Sequence, residues 1–150
     1  REAAAALTKH LADSLLAADP DSKVVIMGDL NDDPSNRSCK TILGAQKKQQ
    51  DVQAGGYFNT MWGMLDKGIG TLAYNGSWNL FDQIIISGNL LGKDRSTLKY
   101  IRSEVFNRDF LKQKEGKYKR YPLRTHAAGV YLNGYSDHFP TLIYLAKEIK

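Results

Sequence analysis

One apolar run that ends in polar side chains constrains the fold of this chain more than any other feature. Val24-Val25-Ile26-Met27 are four consecutive apolar residues, which predict a strand buried on both faces. Gly28 follows, where the chain must turn or let another group approach closely. Asp29 and Asn31 then stand at the carboxyl end of the strand, where open α/β sheets place their ligands. The stretch therefore predicts an α/β fold with a functional site directly after this strand.

The spacing of Asp29 and Asn31 allows both side chains to serve one site. In an extended chain, residues two apart point the same way, so a metal ligand or base would stand beside a neutral hydrogen-bond donor. Ordinary turn chemistry explains Asp-x-Asn-Asp-x-Pro equally well, and both explanations stay open. A calcium-binding EF-hand loop is excluded, because Pro34 and Lys40 stand where that loop requires Gly and Glu.

Composition narrows the class of protein and the kind of partner. With 150 residues, 42% of them hydrophobic, the chain is the size of one globular domain, and it contains no apolar run long enough to cross a membrane. Lys and Arg total 21 against 16 Asp and Glu, and the net charge of +5 suits an anionic partner such as a phosphate ester or nucleic acid. The single cysteine, Cys39, excludes an internal disulfide framework and a Cys-based zinc site, but it does not fix the compartment.

The first segment predicts an amphipathic helix. Apolar residues recur at helical spacing at Leu7, Leu11 and Leu15, and Asp19-Pro20 ends the pattern. The chain opens at Arg1 without Met and without a signal-peptide pattern, so we expect it to begin inside a longer domain, with any export signal before Arg1.

Three predictions concern the segment that follows the site loop. Ser35 is expected to cap a short helix that runs to about Gly44. The polar segment 46–56 is expected to form a mobile surface loop. The aromatic and Met-rich segment 57–65 favours a short helix and core packing over ligand contact.

An aspartate inside an apolar strand is the second candidate for function. Asn75-Gly76 predicts a tight type I′ turn, so residues 71–87 should form a hairpin. Asp82 stands in its second strand, just before Ile84-Ile85-Ile86. Burying an unpaired carboxylate costs roughly several kcal/mol. Asp82 should therefore accept a hydrogen bond from a cationic or imidazole partner, or lie at the exposed end of the strand. A purely structural, hydrogen-bonded aspartate is the alternative.

A basic segment follows a further predicted strand over residues 98–106. Residues 112–124 carry six Lys or Arg residues interleaved with Tyr118 and Tyr121. Such a loop could follow a phosphate backbone while its rings stack on bases. A solvated surface loop explains the same pattern equally well.

The last candidate site lies just before an apolar strand predicted over residues 141–145. Asp137 and His138 are adjacent, and in an extended chain they point to opposite sides. Asp137 can then serve a metal or water and His138 the substrate, with Asp82 orienting the imidazole. Ser136 is the nucleophile of a competing serine-hydrolase hypothesis, but Gly134-Tyr135-Ser136 lacks the second glycine of a nucleophile elbow.

Three motifs in this order resemble the endonuclease/exonuclease/phosphatase superfamily. They are Gly-Asp-Leu-Asn after a strand (28–31), an aspartate ahead of Ile-Ile-Ile-Ser (82–87) and Ser-Asp-His-Phe-Pro (136–140). The resemblance covers essentially the whole chain, but as the carboxyl-terminal half of that family's domain, with the amino-terminal half absent. It implies half of a four-layer α/β/β/α sandwich: one mainly antiparallel or mixed sheet with helices on one face.

The resemblance also implies roles for individual residues. Asp29 would position or deprotonate the attacking water, Asn31 would hydrogen-bond the scissile phosphate, and His138 would contact the phosphate while paired with Asp82. Asp137, together with Asp29, would belong to the metal site. Trp78 is expected among the substrate contacts. Mg²⁺ or Mn²⁺ suits such oxygen ligands, and the implied reaction is hydrolysis of a phosphoester, including the phosphodiesters of nucleic acid.

One departure from the family pattern limits these expectations. The family's metal-binding Glu and a further Asn come from the amino-terminal half, and none of Glu2, Glu104, Glu115 and Glu148 stands in an equivalent context. We therefore expect weak metal binding and little activity from this chain alone. A missing half or a second copy should cover the exposed sheet. A non-catalytic binding or structural module with the same fold is the alternative function, and the substrate stays open, with a lean towards nucleic acid.

Overall fold

The computed structural model describes residues 1–149, which contain two α-helices and ten strands. The helices are α1 (Glu2–Ala18) and α2 (Trp62–Leu65). The strands are β1 (Val25–Asp29), β2 (Ala45–Gln46), β3 (Tyr57–Asn59), β4 (Leu72–Tyr74), β5 (Ser77–Asn79), β6 (Asp82–Ser87), β7 (Lys99–Val105), β8 (His126–Ala127), β9 (Val130–Tyr131) and β10 (Thr141–Ala146). Helices and strands thus mix along the chain, which confirms the predicted α/β class. None of the helices among these residues is long and apolar enough to cross a membrane.

The main sheet has four strands in the order β1-β6-β3-β2. β1 pairs antiparallel with β6, from Val25 opposite Ile86 to Asp29 opposite Asp82. β3 pairs antiparallel with the other side of β6, and the short β2 runs parallel to β3. The sheet is therefore mixed, and its central strand β6 begins at the aspartate that the sequence singled out.

β6 is covered on both faces, because its side chains alternate between two apolar clusters. Ile85 packs with Ala12 of α1 on one face, in a cluster that includes Leu43. Ile84 and Ile86 point to the other face, where Tyr100 of β7 and Ile143 of β10 pack against their cluster. The result is a helix, a sheet and a second β layer in which β7 and β10 pair antiparallel. The complete four-layer sandwich stays a prediction.

Several local predictions are confirmed. The helix over residues 1–18 is α1, and the strands predicted near residues 98–106 and 141–145 are β7 and β10. The predicted hairpin turn is present between β4 and β5, where Asn75 and Gly76 have φ of 48° and 83°. Two consecutive positive φ angles define a type I′ turn, which Asn-Gly adopts at little cost. The second strand predicted to run to residue 87 ends at Asn79 instead, and Asp82–Ser87 forms the separate strand β6 of the main sheet.

β1 is not buried on both faces, as its apolar sequence had predicted. It lies at the edge of the sheet, where Val25 is 40% exposed and Met27 73% exposed. On α1, Leu7, Leu11 and Leu15 are also exposed. An apolar sequence shows only that the strand can be buried. Within residues 1–149, β1 has a neighbouring strand along one edge only, so part of its surface stays exposed. The missing half or second copy expected to cover these side chains stays a prediction.

Two predictions around residues 35–65 are wrong in detail. The helical turn after the site loop spans Ser38–Ile42 and begins after Arg37, so Ser35 does not cap it. Asn36 closes a turn instead, because its backbone N–H donates to the Asp33 carbonyl and its Oδ1 accepts from the Asp33 N–H. Segment 46–56 is mostly exposed, as expected of a surface loop, but it contains the end of β2 and a short 3₁₀ turn at Gln49–Asp51. The helix predicted within 57–65 covers only Trp62–Leu65, because Tyr57–Asn59 pairs as strand β3; the core-packing prediction is confirmed, since residues 57–62 are buried.

Candidate active site

Two aspartates face each other at the end of the β1–β6 ladder. Asp29 is the last residue of β1, Asp82 is the first residue of β6, and the register places them directly opposite one another. Cross-strand partners point to the same face with Cβ atoms about 4.5–5.5 Å apart. Two carboxylates in that position repel each other, so the stability of the ladder does not explain why both stand at one strand end.

His138 is the partner of Asp82. Its Nδ1 lies 2.7 Å from Oδ2 of Asp82, and both side chains remain partly accessible. An ionised carboxylate only accepts hydrogen bonds, so Nδ1 carries the proton and Nε2 is the nitrogen left to face a substrate. The prediction that Asp82 needs an imidazole partner is confirmed, and so is its place at a strand end.

Thr71 ties the two halves of this pair together, and sequence analysis missed it. Its backbone carbonyl accepts from the N–H of Phe139 at 2.8 Å, and its Oγ1 accepts from the N–H of Asp82 at 3.4 Å. Its own N–H donates to the carbonyl of Asn79 at 2.8 Å. Thr71 is fully buried. This one residue therefore sets the position of Asp82 relative to the segment that carries His138.

The loop after β1 combines turn chemistry with an exposed functional group. Oδ1 of Asp29 accepts from the N–H of Asn31 at 2.9 Å, and Asn31 has a φ of 53°, which asparagine tolerates better than most residues. The Asn31 side chain is exposed beside Asp29. Gly28, just before them, has a φ of 150°, a conformation that a side chain would strain. The motif therefore forms a turn and also leaves the Asn31 side chain exposed beside Asp29, so turn chemistry and a functional role are compatible.

Asp33 fastens the same loop to the hairpin strand β5. Its Oδ1 accepts from the backbone N–H of Leu80 at 2.6 Å, and its Oδ2 accepts from Nδ2 of Asn79 at 2.9 Å. Hydrogen bonds to a carboxylate are the stronger kind. Asp33 is thus a positioning residue, because both of its carboxylate oxygens accept hydrogen bonds that hold the loop against the hairpin.

A chain of buried hydrogen bonds, called here the polar relay, runs from Asn59 through Gln83 to the backbone of the loop after β1. Gln83 is fully buried, its Nε2 donates to the backbone carbonyl of Asp32 at 2.5 Å, and its Oε1 accepts from Nδ2 of Asn59 at 2.6 Å. Asn59 in turn accepts from the N–H of Met61 at 3.1 Å. The glutamine between Asp82 and Ile84 was the available signal for this relay, since an amide in an apolar strand needs partners.

Asp137 lies apart from the aspartate pair in its contacts. Its Oδ2 is 3.6 Å from Nη2 of Arg124, and its side chain is 53% exposed. Within residues 1–149, no group of three or more His, Cys, Asp or Glu side chains is arranged to hold a metal ion. Asp29 and Asp137 supply the right oxygen chemistry, but they do not form a complete site here. The predicted Mg²⁺ or Mn²⁺ site stays a prediction.

Trp78 packs beside the His138 segment. Its ring stacks on Phe139 with centroids 5.9 Å apart and an angle of 19° between the ring planes, and it meets Tyr121 edge-on at 5.5 Å. Gly134 brings the same segment against residues 123–124, where a Cβ would lie 2.2 Å from the Leu123 carbonyl oxygen. Trp78 therefore has a packing role here, and its predicted substrate contact stays a prediction.

Cys39 lines a cavity of about 390 Å³ between α1 and the loop that carries Asp29 and Asn31. Burial raises the pKa of its thiol above the ordinary value. A protonated, buried thiol is a poor nucleophile. We therefore do not assign Cys39 a role as a nucleophile in this site.

The chain matches a family model described as the Endonuclease/Exonuclease/phosphatase family over residues 1–147. Comparisons with curated proteins and with solved structures gave no match. The match spans all three motifs and nearly the whole chain, so it includes Asp29, Asp82 and His138. These residues meet at one end of the main sheet, as the motif order had led us to expect. The chain belongs to the endonuclease/exonuclease/phosphatase family.

Proposed function

We propose that this chain carries part of the active site of a divalent-metal-dependent phosphodiesterase, a nuclease being one form of it. The family as a whole suggests phosphoester hydrolysis. The observation that carries the proposal is the Asp82–His138 pair, which stands directly beside Asp29 at the end of the β1–β6 ladder. An oriented imidazole next to a carboxylate can bind an anionic phosphoryl group and position water in one place.

Each residue has a distinct task in this proposal. Asp29 orients and deprotonates the attacking water, while the amide of Asn31 donates to a phosphoryl oxygen. In its protonated form His138 donates from Nδ1 to Asp82 and from Nε2 to the charge that develops on the phosphoryl group, and Asp82 orients the ring and stabilises that cation. A bound divalent cation would supply further neutralisation of that charge. Asp29 and Asp137 are the residues we propose as its ligands from this chain.

Because the described residues lack a complete metal-ligand set, we expect slow turnover and weak cation binding from this chain alone. A missing half of the domain or a second copy would supply the remaining ligands and cover the exposed side chains of β1 and α1. Adding such a partner should raise the rate and tighten the binding of Mg²⁺. Unchanged rates in the complete assembly would contradict this part of the proposal.

A non-catalytic module is the second candidate, and one observation favours it. Asp137 is engaged with Arg124, and within residues 1–149 no cluster of metal ligands is formed. This candidate predicts binding of phosphate esters without turnover. The serine-hydrolase hypothesis has less support, because Oγ of Ser136 accepts from the backbone N–H of His138 at 3.1 Å while the imidazole Nδ1 bonds Asp82.

Hydrolysis of bis(p-nitrophenyl) phosphate and of plasmid DNA tests the proposal. We expect turnover in Mg²⁺ that is abolished by EDTA and by His138→Ala. The matched control is His10→Ala, which removes an exposed histidine of α1 and should leave the rate unchanged. Turnover that survives either EDTA or His138→Ala would refute the proposal. Binding of inorganic phosphate with no turnover of any substrate would favour the non-catalytic module.

A further inference from the structure

A second pocket opens next to the candidate active site and has no part in the roles described so far. Its volume is about 380 Å³, and it lies between the β4–β5 hairpin, the basic segment 112–124 and the β8–β9 turn. Asp137, the neighbour of His138, forms part of its lining. The small residues Ala73, Ala127 and Ala128 leave the space between these walls open. The pocket therefore connects the basic segment with the His138 segment.

Three tyrosines line this pocket, and their arrangement suits a planar ring. Tyr74 is 67% exposed and Tyr118 is 50% exposed, so both present ring surface to a ligand. The third, Tyr121, lies 5.7 Å from Tyr118 between ring centroids and is held by Trp78. Exposed aromatic faces bind flat rings by stacking, and this stacking is tolerant of the ring's identity.

The basic segment that carries two of these rings is ordered. The N–H of Gln113 donates to the Tyr121 carbonyl at 2.9 Å, and the N–H of Arg120 donates to the Gln113 carbonyl at 2.8 Å. The N–H of Tyr121 donates to the Tyr118 carbonyl at 3.0 Å. These bonds hold the tyrosines in place before a ligand arrives, which lowers the entropy lost on binding.

Polar and charged side chains at the pocket favour a ligand whose ring has a polar edge and carries an anionic group. The side chains of Asn75 and Gln113 can pair with the polar edge of a heterocycle. Arg124 lines the pocket beside Asp137, and Nζ of Lys117 lies 5.5 Å from the Tyr118 ring centroid. A ring that stacks here and carries an anionic group would place that anion near these cations, beside the segment in which His138 follows Asp137.

We propose that this tyrosine pocket binds the base of a nucleotide-containing phosphoester whose phosphate lies at His138. The inference rests on the proposed function, since it names the substrate class of that same site. It distinguishes nucleotides from phosphate esters of aliphatic alcohols or polyols, which have no ring to stack. The pocket also assigns the tyrosines of the basic segment a task that a merely solvated loop would not have.

Calorimetric titration with adenosine 5′-monophosphate and with ribose 5-phosphate tests the pocket, because the two probes differ only in the base. We expect the nucleotide to bind at least about tenfold more tightly. Tyr118→Leu keeps an apolar side chain at this half-exposed position and should remove the preference, whereas Tyr118→Phe should keep it. Tyr144→Leu is the matched control, because this tyrosine of β10 does not line the pocket.

The outcomes separate this inference from the proposed function. Equal affinity for the two probes, or a preference that survives in Tyr118→Leu, overturns the pocket assignment even when bis(p-nitrophenyl) phosphate is hydrolysed. Failure of adenosine 5′-monophosphate to bind at millimolar concentration also overturns it. A Tyr118-dependent preference together with turnover that survives EDTA or His138→Ala sustains the pocket and refutes the hydrolase. Circular dichroism of each variant establishes that the fold is retained.

Discussion

Replacing Gln83 with leucine should lower the free energy of unfolding by about 2 kcal/mol, although the two side chains are similar in size. Gln83 is fully buried in β6, and its amide bridges the Asp32 carbonyl and Nδ2 of Asn59. Leucine would fill the same volume but make neither hydrogen bond. The loss therefore measures the polar relay beneath the site loop and not the packing of the core.

The magnitude follows from what leucine leaves behind. A buried polar group without a partner costs about 1–3 kcal/mol, so the orphaned Asn59 amide and Asp32 carbonyl together cost about 2–6 kcal/mol. Burial of the apolar leucine side chain returns about 1.5–3 kcal/mol. The midpoints of these two ranges leave a net loss of about 2 kcal/mol, which is larger than the effect of most single substitutions, about 1 kcal/mol.

Urea denaturation followed by circular dichroism measures this loss. Combining Gln83→Leu with Asn59→Ala removes the orphaned amide, so the double variant should be more stable than the two single losses predict, by about 1 kcal/mol. Gln46→Leu is the matched control, since Gln46 is only partly buried and donates to Gly44 at 3.2 Å. A Gln83→Leu protein as stable as the parent would refute this reasoning. So would a double variant whose loss of stability equals the sum of the losses in Gln83→Leu and Asn59→Ala.

Three further predictions concern other side chains. Asp29→Asn should raise the free energy of unfolding by up to about 1 kcal/mol, because it removes repulsion from Asp82, while it abolishes hydrolysis; a loss of stability in urea would contradict this. Burial acts to raise the pKa of Asp13, but hydrogen bonds from Lys9 and Tyr57 hold it below its ordinary value. Its contribution to stability is therefore complete above about pH 4 and is lost as the pH falls further, so Asp13→Asn should flatten acid unfolding curves. The buried Cys39 should react with iodoacetamide at least about tenfold more slowly in the native protein than in urea, and equal rates would show that the cysteine is not enclosed.

The residues that meet in the site were predictable because their local surroundings already required a partner. A carboxylate within an apolar, Ile-rich stretch indicates Asp82, and a histidine just before another strand indicates its partner. Both lie at strand ends, where the fold class places ligands. Their contact could be inferred without knowledge of the full sheet order.

The supporting residues could not be predicted in the same way. Thr71 and Asp33 act on backbone groups of segments distant in sequence, and no local pattern marks those contacts. The exposure of Met27 also depends on pairing, because an apolar strand is buried only when neighbours lie along its edges and faces. Hydrophobic periodicity reports which residues can be buried, whereas sheet order decides which of them are.

The link between Asp82 and His138 has a consequence for the timing of synthesis. The two residues are 56 positions apart, and the hydrogen bond from Phe139 to Thr71 joins the segments that carry them. At about 5–20 residues per second, a ribosome needs about 3–11 s to travel from the first of them to the second. During that interval β1 and β6 can already pair, so the nascent chain holds two opposed aspartates without their histidine. The site is completed last, when the segment before β10 leaves the ribosome.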